Sequence, residues 1–235
     1  RIDVAFAQGE IVMGFVQRVG HRTSEELAER KGAFPAWEGE DPARRGRRRR
    51  NATVTTIAPT GTLSIIAGCS SGIEPLFALS FTRHVMDGEK LTEANPWFEQ
   101  ALKDVGAHSP RLMEDVAKKG SIQSLDYLPD AFRRVFVTAM DIAPVWHLRM
   151  QAAFQKFTDN AVSKTVNLPN SATQDDIRSI YWLAYELGCK GVTVYRDGCK
   201  SVQVLCVDAG PKAPAPGVKP ASKVRQRPDA VARLV

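Results

Sequence analysis

The residues best suited to chemistry form a hydroxyl-rich turn between two apolar runs. Residues 51–58 are rich in Thr, Val and Ile; Pro59, Thr60, Gly61, Thr62, Leu63 and Ser64 follow, and an apolar run continues to Ala67. Gly61 lets backbone come close to a ligand. The hydroxyls of Thr60, Thr62 and Ser64, with unpaired amides at a helix start, can donate to phosphate oxygens without a lysine. The same composition also makes an ordinary structural turn, so it does not by itself select between a ligand site and a reversal. It is not a Walker loop, because no Gly-Lys-Ser/Thr follows.

Other groups offer less. His21, His84, His108 and His147 stand at no metal-ligand spacing, so no metal site is expected. Cys69, Cys189, Cys199 and Cys206 form no CxxC pair and match no zinc pattern or dense disulfide framework, which fits a reduced, cytoplasmic setting. Cys69 and Cys189 lie in or beside apolar segments, as buried structural thiols do. Glu74, in a turn-rich stretch before Pro75, suits loop support better than ligand contact.

These groups have to be positioned by a scaffold of 235 residues, of which 43% are hydrophobic, enough for a substantial core. The formal charge of +6 is concentrated in two places. Arg44 and Arg50 bound a run of six arginines interrupted only by Gly46, and the segment from Lys212 is dominated by Pro, Ala, Lys and Arg. Both lack apolar periodicity and read as solvated loop and linker. A nucleic-acid-binding or scaffolding use of the arginine run is the alternative, without interleaved aromatics to support it. No apolar run approaches the roughly 20 residues that span a bilayer, so no membrane insertion is expected. With no initiator Met and helical spacing from the outset, the chain is expected to be a piece of something longer.

Periodicity predicts a helix over residues 10–31 ended by Gly32, strands at 51–58 and 76–85, and a reversal at Asp87-Gly88. Two amphipathic, peripheral helices are predicted within 95–119. A longer helix begins at Pro144 and keeps its apolar spacing to Ala161 for about four turns. Thr173 and Asp176 form a capping-box pattern for a helix closed by Gly188, and residues 191–195 read as a short buried strand. Together these indicate an α/β protein.

Three stretches carry more than composition. Residues 50–78 (Arg-Asn-Ala-Thr-Val-Thr-Thr-Ile-Ala-Pro-Thr-Gly-Thr, then Gly-Ile-Glu-Pro-Leu-Phe-Ala) resemble class II, adenosylcobalamin-dependent ribonucleotide reductases. Residues 154–169 (Phe-Gln-Lys-Phe-Thr-Asp-Asn-Ala-Val-Ser-Lys-Thr-Val-Asn-Leu-Pro) and 184–198 (Ala-Tyr-Glu-Leu-Gly-Cys-Lys-Gly-Val-Thr-Val-Tyr-Arg-Asp-Gly) do so too, in the same order. The likeness runs from about Ile11 to Leu205. It implies the C-terminal part of a ten-stranded α/β barrel over residues 1–205, incomplete here, with 206–235 as linker or tail.

The resemblance implies reduction of ribonucleotides to 2′-deoxyribonucleotides by a thiyl radical generated with adenosylcobalamin. The cofactor carries the hard chemistry and the protein positions it. The family's finger-loop and redox cysteines lie upstream of this sequence, so no catalytic residue is assigned. Pro59, Thr60, Gly61, Thr62, Leu63 and Ser64 match the segment that cradles the substrate diphosphate. A ribonucleoside diphosphate, a thioredoxin-type reductant, dNTP or ATP effectors acting through other regions, and a homodimeric parent are the implied partners. Class I is disfavoured, because its last strand carries a tyrosine pair where this chain offers only Tyr195.

Overall fold

The computed structural model describes residues 2–37, 48–84 and 90–199. The predicted Asp87-Gly88 reversal, residues 38–47 of the arginine-run segment, and the tail from 200 onward with Cys206 lie outside them.

Helix α1 spans Ile2–Lys31, longer at its start than the spacing predicted, and Gly32 ends it at φ +80°, a left-handed value that favours glycine. It packs on α6 (Pro144–Gln155) through a Phe6–Trp146 ring stack at 6.0 Å and through Gly9. A Cβ on Gly9 would stand 2.9 Å from the Phe154 ring, so the close helix approach requires glycine there.

Helix α2 (Gly61–Ala67) follows the hydroxyl turn. Strands β1 (Ser80–His84) and β2 (Lys90–Ala94) pair antiparallel with Ser80 opposite Ala94, as a reversal between them requires. The predicted strand at 76–85 therefore begins four residues late. Helices α3 (Pro96–Asp104) and α4 (Pro110–Lys119) are each capped by the residue before a proline, Asn95 and Ser109, whose side chains accept backbone amides. They are not merely peripheral. Phe98, Leu102, Leu112 and Val116 form a core of their own with Leu79, Ile122, Leu125 and Leu128, closed by Phe132 of the short helix α5 (Asp130–Arg133) and by Phe136.

A second core surrounds a βαβ unit. Strand β3 (Thr165–Leu168), helix α7 (Gln174–Glu186) and strand β4 (Thr193–Arg196) follow one another, and the strands pair in parallel with Thr165 opposite Thr193. Leu148 of α6, Val166 and Leu168 of β3, and Ile180 and Ala184 of α7 are buried together. The predicted capping box at Thr173 and Asp176 is present, and Gly188 takes φ +71°.

Two predicted boundaries are corrected. Helix α6 ends at Gln155, although apolar spacing continues to Ala161. Thr158 Oγ1 donates to Phe154 O at 2.7 Å and Gln155 Nε2 to Thr158 O at 3.1 Å, so side chains close the last turn before the apolar pattern stops. Residues 51–58 form no named strand: only Ile57 pairs, in a single parallel bridge with Val162. Side chains replace the missing ladder bonds. The Val54 amide donates to Asp159 Oδ2 at 2.9 Å, and the Asp159 amide to Thr55 Oγ1 at 2.8 Å. The segment is extended and tied along residues 159–163, which run directly into β3.

Candidate functional site

Pro59, Thr60, Gly61, Thr62, Leu63 and Ser64 are brought together as the entry to α2. Thr60 is the one non-glycine described residue with positive φ, at +46°. A β-branched residue in the left-handed region is strained, because its Cβ crowds the backbone. Two limbs hold it there. Ser64 N donates to Thr60 O at 2.9 Å, forming the first helical bond, and Gly72 N donates to Thr60 Oγ1 at 3.1 Å. Ser71 Oγ donates to Pro59 O and stands 3.3 Å from Thr60 Oγ1. Gly72, at φ +52°, closes the second limb so tightly that a Cβ would lie 3.3 Å from Ala58 O.

The outer side of the turn is open. A Cβ on Gly61 would meet nothing within 4 Å. The amides of Gly61, Thr62 and Leu63 precede the first intrahelical donor, Ser64 N, and have no acceptor within the helix. Thr62 is exposed and its hydroxyl has no hydrogen bond to a described residue. Ser64 is buried and donates its hydroxyl proton to Gly61 O at 2.8 Å, so it braces the turn and presents no free donor outward. The arrangement offers backbone amides and the Thr62 hydroxyl to an approaching anion at the positive end of a short helix.

Glu74, together with Lys164, which spacing did not single out, fastens this turn. Glu74 Oε1 accepts the Thr165 amide and Oε2 accepts Lys164 Nζ, both at 2.6 Å. The Lys164 side chain is 2% exposed. Burial pushes its ammonium below the ordinary lysine value, while Glu74 opposes that shift. Sequence distance hid the pair, and the only local sign was a lysine at the head of an apolar run. Glu74 is thus loop support, as its place in the sequence indicated.

Other titratable groups are structural. His147 is buried and donates from Nε2 to Ala139 O at 3.0 Å; burial first, and the Lys164 charge second, hold it below the ordinary histidine value. His21 Nε2 lies 2.9 Å from Asp159 Oδ1, linking α1 to the segment that precedes β3. Burial alone would raise the Asp159 carboxyl, but the Val54 amide, His21 and Arg49 outweigh it and the net shift is downward. No group of three metal-ligating residues occurs among those described. Cys69, Cys189 and Cys199 are free, and Cys69 is exposed, contrary to the buried thiol expected there. No described helix is long and apolar enough to cross a membrane.

Of the arginine run, Arg50 is committed to the end of α1, reaching Lys31 O and Ala33 O at 3.5 and 3.4 Å. Arg49 is mostly buried, 4.0 Å from Glu25. These contacts of the described arginines brace the scaffold, and the nucleic-acid alternative gains no support from them.

Parallel strands joined by a helix, with a hydroxyl-rich turn entering from a neighbouring extended segment, define a piece of an α/β scaffold. Residues 44–195 match the family model described as ribonucleotide reductase, barrel domain, and the chain belongs to that family. It is 50% identical over 197 residues to a vitamin B12-dependent ribonucleoside-diphosphate reductase of Thermoplasma acidophilum, covering 84% of this chain and 26% of the relative. It is 49% identical over 201 residues to the enzyme of the same name from Mycobacterium tuberculosis (strain CDC 1551), covering 86% and 29%. The solved alpha subunit of the Actinobacillus ureae class Id ribonucleotide reductase superposes with TM-score 0.67 at 26% identity, over 82% of this chain and 34% of that one. The chain thus spans little more than a quarter of the length of these curated relatives.

Proposed function

We propose that this chain is the C-terminal part of the catalytic barrel, ten-stranded when complete, of a cytoplasmic, adenosylcobalamin-dependent ribonucleoside-diphosphate reductase. Its contribution is to hold the substrate's phosphates. The names of its relatives support the reaction. The observation that carries the assignment to residues 59–64 is the strained Thr60 beside an open Gly61, because strain of this kind persists where surrounding structure enforces it for function.

The amides of Gly61, Thr62 and Leu63 and the Thr62 hydroxyl donate to phosphate oxygens; Pro59, Thr60 and Ser64 keep them aimed. Such contacts are equal in the ground and transition states, so they lower KM and orient the ribose without themselves stabilising the radical step. The described residues do not make up a cobalamin site. A groove of about 470 Å³ beside α1 and α6 and one of about 430 Å³ between α6 and α7 present no ring nitrogen or thiol to a cobalt. The radical and reducing cysteines, a thioredoxin-type reductant, dNTP or ATP effectors and a homodimer contact belong, in this reading, to sequence outside the chain.

The test is a titration of the full-length protein carrying this sequence with ADP, read by amide hydrogen exchange. Protection is expected at Thr60 to Ser64 and is lost in Gly61→Val, whose side chain enters the open space without a steric clash in the fold. ADP protection located elsewhere, with these amides unchanged, overturns the assignment.

A further inference from the structure

We propose that Lys164 and Glu74 are positioning residues for the phosphate turn, fixing its second limb to the head of β3 so that the amides of Gly61, Thr62 and Leu63 face the substrate. The inference rests on the phosphate-binding reading above and extends it to two residues 90 positions apart in sequence, which touch no substrate in it.

The connection can be followed bond by bond. Lys164 and Thr165 are the last residue before β3 and its first residue, and the Lys164 carbonyl accepts the Thr193 amide at 3.3 Å, so their backbone is held by β4. The Glu74 carboxylate spans this point, taking the Thr165 amide on one oxygen and the Lys164 ammonium on the other, both at 2.6 Å. Glu74 N donates to Ser71 O at 2.9 Å, which folds residues 71–74 into a turn. Ser71 and Gly72 then grip Pro59 O and Thr60 Oγ1. The links at the sheet end involve the Glu74 carboxylate, and charge-assisted bonds are the stronger kind; those at the turn are neutral bonds through the Ser71 and Thr60 hydroxyls.

The chemistry of the pair fits this role better than plain stability. A buried ion pair is weak as a source of stability, since desolvation of both ions offsets their attraction. Its two oxygens and fixed geometry instead set one position for the loop. Lys164 also donates to Thr165 O, so its ammonium holds the carboxylate and the β3 backbone together. Without the ammonium, Glu74 keeps only the Thr165 amide and can pivot about it, and the strained Thr60 is free to relax.

The test uses the full-length protein with Glu74→Gln, Lys164→Met, Lys164→Arg and the Glu74→Gln/Lys164→Met double variant. Two readouts are taken on each: amide exchange at Ser64 and Gly72 without ligand, and ADP affinity by calorimetry, with thermal melting as the control for folding. Each of the two neutralising single variants should raise exchange at both amides and weaken ADP about tenfold, and the double variant should be no weaker than the worse single one. Lys164→Arg should recover most of the affinity. Unchanged exchange and affinity in the folded single variants, or fully additive losses, overturns the positioning role. If the wild-type protein binds no ADP while exchange still responds, the pair positions the turn and the phosphate reading is what fails.

Discussion

Thr60 is where stability and site geometry should part company. Its φ of +46° places a β-branched side chain in the left-handed region, a conformation that costs on the order of 1–3 kcal/mol. Asparagine tolerates that region far better and still offers a side-chain oxygen in place of Oγ1. Thr60→Asn should therefore gain about 1 kcal/mol, about fivefold in the folding equilibrium. Thr60→Ala keeps the positive φ and deletes the acceptor of the Gly72 amide, a hydrogen bond of 3.1 Å worth about 0.5–1.5 kcal/mol. The two variants should then differ by about 2 kcal/mol, with the wild type between them, in urea unfolding of the full-length protein. ADP affinity should fall in both, since each changes the atom that fixes the turn to Gly72. A Thr60→Asn variant no more stable than Thr60→Ala would refute the reasoning, because it would mean that the left-handed conformation costs nothing that asparagine can recover.

Two further outcomes bear on the scaffold. Gln151 is fully buried and donates to Val162 O at 3.0 Å and Gly191 O at 2.6 Å, joining the segment before β3 to the one before β4; its Oε1 has no partner. Gln151→Met strands two carbonyls but removes one unsatisfied acceptor, so a loss of about 1–3 kcal/mol is expected in urea unfolding, and a loss below about 0.5 would remove its bridging role. For His147, the folded pKa lies below the unfolded one, so on acidification the unfolded chain takes the proton first. Stability should decline as pH falls below about 6.5 towards the folded value, and melting temperatures of His147→Gln should lose that part of the slope; an unchanged slope would assign it to other groups.

Where a structural signal was local, it could be read from the sequence. The Thr173 hydroxyl and the Asp176 carboxylate sit three residues apart, and each satisfies the other's backbone amide, so α7 begins where composition says it must. Pro144 marks the first turn of α6 for the same reason. The end of α6 was illegible because Phe157 and Ala161 keep helical spacing while the chain is closed by side-chain bonds from Thr158 and Gln155, which no periodicity registers. Residues 51–58 carry a strand's composition, and their backbone is extended as predicted. Part of their pairing goes to the side chains of Thr55 and Asp159, which depends on a partner segment about 105 residues away as much as on their own sequence.

The proposed phosphate turn divides along the same line. Hydroxyls, a glycine and a helix start are local properties, and they single out residues 59–64 in the sequence. Their conformation is not local. Threonine prefers negative φ, so the isolated hexapeptide has every reason to relax, and what prevents it is a chain of bonds through Ser71, Gly72 and Glu74 to Lys164. In the proposed reading, a composition that serves equally as an ordinary turn becomes an anion cradle only when β3 and β4 hold the far limb. The chemistry of this site is therefore written in one segment and its geometry in another, and reading the first without the second leaves the role of Pro-Thr-Gly-Thr open.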